Sequence, residues 1–85
     1  MPKISEFYGV SIHMYHQEHA PPHFHAEYGG ASAALAFDGR VLHGTLHPRA
    51  LRLVRQWAKG HRAELVLNWS RARKGAELVQ IAPLE

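Results

Sequence analysis

The chain has 85 residues, 46% of them hydrophobic, a formal net charge of +3 and no cysteine. The missing thiols exclude disulfides, thiolate zinc sites and a cysteine nucleophile, and they suit a reducing compartment. No apolar run is long enough to cross a bilayer and the opening MPKISEFYGV lacks a secretory apolar stretch, so the expectation is a cytoplasmic protein with no membrane partner.

The length predicts one domain over residues 1–85, with a thin core, because so short a chain buries only about 60% of its unfolded surface. Within it, 1–46 reads as strand-rich, 48–74 as helical and 76–85 as a short C-terminal arm. Eight histidines are present, and several crowd between His13 and His25. Histidine binds metals as a neutral base and gains charge near neutral pH.

In chain order, Ile4–Tyr8 and Val10–Tyr15 are short runs rich in β-branched and aromatic residues, which favours strands. A polar loop follows and ends at Pro21-Pro22, which cannot lie inside a sheet. His23–Tyr28 reads as a third strand. Gly29-Gly30 is a two-residue hairpin signal before Ala31–Phe37, and Asp38-Gly39 is another before Val41–Leu46.

Pro48 suits the first position of a helix, and Arg49 to Lys74 suits its body, with Gly75 as the stop. Ala50, Leu51, Val54, Trp57, Ala58, His61, Leu65, Trp69 and Ala72 share one broad face. Arg49, Arg52, Arg55, Lys59 and Arg62 lie on the other. An unbroken helix of that span would be roughly 39 Å long, more than the domain's expected width, so a kink or break is expected near Gly60. Leu78–Ile81 reads as a last strand or an extended arm. The predicted fold is α+β, an antiparallel meander of four to five strands with one face covered by a kinked helix or two helices.

The hairpins fix which side chains share a face, because direction alternates along a strand. Pairing Val10–Tyr15 with His23–Tyr28 sets Ile12 opposite Ala26 and Met14 opposite Phe24, an apolar face. The reverse face then carries Ser11 with Glu27, His13 with His25, and Tyr15 with His23. A one-residue slip would mix the two sets. Continued through the turns, Ala34 falls beside His25 and His43 beside Ala34. His13, His23, His25 and His43 therefore share one face, and the helices should cover the other against Ile12, Met14, Phe24, Leu35, Phe37 and Leu42.

His19, the run Pro21-Pro22-His23-Phe24-His25-Ala26 and Tyr28 together resemble the signature of a family of small prokaryotic proteins, domain of unknown function 4160. The start (Pro2, Ile4, Phe7, Tyr8, Gly9, Ile12) and the helical part (Ala50, Leu51, Trp57, His61, Arg62, Glu64, Leu65, Asn68, Trp69) are similar too. The resemblance implies a stand-alone cytoplasmic bacterial protein, often encoded beside a second small uncharacterised domain in what looks like a toxin–antitoxin or regulator pair. It implies no activity. His19, His23 and His25 carry over from the family pattern, whereas His13 and His43 lie outside it.

These residues support three expectations. The first is a binding or regulatory module with a small protein partner, the histidine-rich strand being its site. The second is a small metal-dependent, hydrolase-like enzyme. In it His19, His23 and His25 would hold zinc or another transition metal, with His13, His43 and Glu27 as weaker candidate ligands, Glu18 as a further source of a carboxylate, and His23 and His25 as candidate catalytic groups. The third is nucleic-acid binding through Arg52, Arg55, Lys59 and Arg62, where each phosphate contact adds salt-dependent affinity without sequence information. A homodimer is also expected, from the exposed sheet edge. His61 and Asn68 read as satisfied, buried polar residues, and Trp57 and Trp69 as core anchors.

Overall fold

The computed structural model describes residues 2–85. Five strands, β1 (Lys3–Phe7), β2 (Val10–His13), β3 (His23–Tyr28), β4 (Ala31–Ala36) and β5 (Val41–Gly44), form one antiparallel sheet in the order β1-β2-β3-β4-β5. Two helices follow, α1 (Pro48–Gly60) and α2 (Arg62–Arg73).

Register follows the apolar alternation. Ile12 pairs with Ala26 and Phe24 with Leu35, and all four are fully buried. On the reverse face Ser11 pairs with Glu27, His13 with His25, His25 with Ala34, and Ala34 with His43. The first face receives the helices. Trp57 of α1 packs edge-on against Phe24 at 5.7 Å and beside Phe7 at 5.5 Å, while Trp69 of α2 meets Phe37 at 6.3 Å. Burying rings of this size supplies much of the stability of so small a core.

Leu42 departs from its expected place in the core. The β4–β5 ladder shifts between Ala34 and Leu35, so Leu35 pairs with Val41 and Ala34 with His43. Leu42 becomes the extra residue of a bulge and is exposed, and Val41 packs against the core instead. The Asp38-Gly39 turn is also wider than a two-residue loop. Gly39 N–H donates to Ala36 C=O and Ala36 N–H to Arg40 C=O, leaving four residues between the strands.

The helical segment breaks at His61, whose φ of −129° leaves the helical region. Leu65 N–H then donates to His61 C=O and starts α2. The tail is an extended arm rather than a strand. Buried Asn68 holds it through both ends of its amide, donating to Val79 C=O at 2.8 Å and accepting from Val79 N–H at 2.9 Å. Ile81 N–H donates to Ile4 C=O, and Trp57 Nε1–H to Ala82 C=O. The arm thereby runs beside β1, one edge of the sheet.

Candidate metal centre

The reverse face of the sheet is partly covered by the loop between β2 and β3, and one contact with α2 and one with the segment just after it hold that loop in place. Gln17 N–H donates to Ala72 C=O and His16 Nε2–H to Ala76 C=O. Gln17 has a positive φ of 59°, a conformation that turns the chain sharply. The next residue, Glu18, is thereby carried back over the start of β3.

There it meets two imidazoles. His25 Nε2 lies 2.7 Å from Glu18 Oε1, and His23 Nε2 lies 3.5 Å from the same oxygen. One donor atom from each of the three residues falls within 4.8 Å of the others, and all three side chains are half-buried. Among the described residues this is the group of three or more histidine and acidic side chains that converges on one point.

The hydrogen bonds fix which nitrogen faces that point. His23 Nδ1 lies 2.7 Å from the Pro21 carbonyl, which can only accept, so Nδ1 carries the proton. In a neutral ring the other nitrogen, Nε2, then presents a lone pair toward the Glu18 carboxylate. Such backbone-anchored imidazoles are the usual supporting arrangement behind metal ligands. The His23 ring is further held by Trp69, 5.3 Å away, and by His25 at 5.1 Å. Tyr15 packs edge-on to His25 at 4.7 Å.

Charge follows the same geometry. Burial raises the Glu18 carboxyl, but the His25 hydrogen bond and, with the rings protonated, the charges of His25 and His23 outweigh it, and the net shift is downward. Burial, then the nearby Glu27 and Glu18 charges, push the Tyr15 phenol up.

Of the residues expected at a metal site, His23 and His25 come together, and Glu18 supplies the third donor. His19 lies outside the group and is exposed. His13 sits beside His25 in the ladder and stacks on Tyr15, but both its ring nitrogens are buried without a hydrogen-bond partner. Glu27 stands 3.8 Å from His13, beyond hydrogen-bond reach. His43 shares the face two strands away and is exposed.

The basic residues Arg52, Arg55, Lys59 and Arg62 are all exposed on the helices. Arg55 Nε donates to Gly39 C=O at 2.9 Å. Arg55, Lys59 and Arg62 line a groove with Phe37 and Asp38. The Asp38 carboxyl is lowered, first by the Arg40 backbone N–H and further by the charges of Arg40 and Arg62. Three of the four cations thus gather at the β4–β5 turn. Arg52 points elsewhere.

The family model described as a domain of unknown function (DUF4160) matches residues 9–70. That span contains the loop, the whole of the Glu18–His23–His25 group and most of both helices. No curated protein and no solved structure matches the chain.

Proposed function

The chain belongs to the family of domain of unknown function DUF4160, and from that premise we propose that it is a metal-binding module: Glu18, His23 and His25 hold one divalent transition metal ion and leave coordination positions open for a donor brought by a partner protein or small ligand. Two imidazoles and one carboxylate form a donor set that zinc, iron and related ions accept.

The observation that carries this reading is the orientation of His23. Its Nδ1–H is committed to Pro21 C=O, so Nε2 is the nitrogen aimed at the carboxylate oxygen that His25 also approaches. A lone pair facing a carboxylate repels it unless a cation stands between. Donors on one ion at about 2.1 Å from the metal lie about 3.0–3.4 Å apart. The observed 2.7 Å and 3.5 Å between the carboxylate and the two imidazoles bracket that range, and all three donor atoms lie within 4.8 Å of one another, so the group needs side-chain adjustment rather than backbone rearrangement to close on an ion. A proton on His23 is the competing cation, and metal loading separates the two cases.

The test uses protein purified without a histidine tag, stripped by chelator and titrated with Zn²⁺ or Co²⁺ at neutral pH. One equivalent should bind. Glu18→Ala, His23→Ala and His25→Ala should each weaken binding at least about a hundredfold, whereas His19→Ala and His43→Ala should leave it unchanged. Absence of stoichiometric binding, or an equal loss in His19→Ala, would overturn the reading.

A further inference from the structure

At the far end of β3 the fold builds a second cleft with different chemistry. Tyr8, Tyr28, Arg49, Arg52 and Leu53 line a hollow of about 370 Å³. From His23 to Tyr28 is five strand steps, about 17 Å at 3.3–3.4 Å per residue. Tyr28 also lies on the helix side of the sheet, opposite to His23 and His25. The two sites are therefore separate.

Three features of this cleft go beyond a solvated surface. First, Tyr8 is 61% exposed and occupies the leading position of the β1–β2 turn with φ of 48°. That position favours Asn, Asp or Gly, and a bulky residue there is an outlier. The turn accepts strain that Asn would avoid and displays an aromatic ring. Second, the Tyr28 ring lies along Gly9 and is only half-buried. A Cβ at Gly9 would sit 3.5 Å from Tyr28 Cε1. Third, among the described residues neither the Arg49 nor the Arg52 guanidinium, nor either phenol hydroxyl, has a hydrogen-bond or ion-pair partner, and the first turn of α1 holds no carboxylate. Arg55, by contrast, is bound to Gly39.

Two aromatic faces with two unpaired guanidinium groups are the components that recognise a flat ring carrying a phosphate. Ring stacking tolerates any base, and Arg pairs with phosphate in a bidentate manner. The volume falls at the lower end of small-ligand sites and suits one nucleotide unit rather than a duplex. We propose that this cleft binds a nucleoside phosphate, with Tyr8 and Tyr28 against the base and Arg49 and Arg52 on the phosphate. The unit could be a free mononucleotide or one residue of a single strand, since both present the same chemistry.

The experiment is a nuclear magnetic resonance titration of chelator-stripped protein with adenosine monophosphate, adenosine, inorganic phosphate and single-stranded hexathymidylate. The two phosphorylated ring ligands should shift resonances of Tyr8, Tyr28 and Arg52. Adenosine and phosphate alone should each bind at least about tenfold more weakly than adenosine monophosphate. Tighter, more salt-sensitive binding of the hexanucleotide identifies a strand as the source, and tighter binding of the mononucleotide identifies a free nucleotide. Tyr8→Asn keeps a residue suited to the left-handed turn while removing the ring, and it should weaken binding about tenfold, as should Arg52→Gln. No shift at these residues at millimolar ligand, inorganic phosphate binding as well as adenosine monophosphate, or full affinity in a well-folded Tyr8→Asn would each overturn the proposal.

Discussion

At the residue scale the informative group is Glu18, a loop carboxylate held against two imidazoles. Its pKa in the folded protein lies below the ordinary 4.5. A group depressed on folding contributes stability that is present above its unfolded pKa and is lost as pH falls through its folded value. In the metal-free protein the difference in melting temperature between wild type and Glu18→Gln should therefore shrink as pH falls below about 4.5. The side chain is 30% exposed, which holds the effect under about 1 kcal/mol. A difference that grows on acidification would contradict the geometry. The same residue shows where sequence reasoning ran out. His23 and His25 could be placed on one face because strands alternate, but the loop has no period to say whether Glu18 or His19 turns inward. The positive φ at Gln17 and the anchoring of the loop on α2 decide it, and both depend on tertiary contacts.

At the element scale, two joints hold the helical half on the sheet. The break between α1 and α2 was legible from length alone, but its cause is not glycine freedom. Gly60 has an ordinary φ, and a Cβ there would meet nothing within 4 Å, whereas the departure from helix is at His61. Gly60→Ala should therefore keep the break and raise stability by about 0.5–1 kcal/mol, readable as a higher melting temperature with unchanged amide shifts around His61. The second joint is Asn68. It is fully buried and replaces the missing strand partner of Val79, while Arg71 donates to its Oδ1 at 3.0 Å. Asn68→Ala should cost about 2–3 kcal/mol, because two backbone groups lose partners, and Val79 should lose its hydrogen-exchange protection. A buried, hydrogen-bonding Asn68 could be expected from its place near the apolar face, but not that its partner would be the tail. The bulge that ejects Leu42 had no comparable signal, since Val41 and Leu42 are equally apolar and either fits the core pattern.

At the scale of the whole molecule, β3 is the axis of the design. Its odd-numbered residues present His23 and His25 to the loop on one face, and its even-numbered residues Phe24 and Ala26 to the core on the other. Tyr28 ends the strand at the Tyr–Arg cleft. The meander, its register and the helical cover follow from alternation and turn chemistry, which is why they could be read in the chain. Both proposed sites need more: the Glu18–His23–His25 group needs a folded loop, and the cleft needs a β-turn tyrosine brought beside the start of a helix some forty residues later. The central claim is that Glu18, His23 and His25 share one ion. X-ray absorption spectroscopy of the zinc-loaded, tag-free protein tests it most directly. It should show two imidazole nitrogens and at least one carboxylate oxygen in the inner shell, with one imidazole lost in His23→Ala. A shell of water oxygens only, or one unchanged by that substitution, would contradict it.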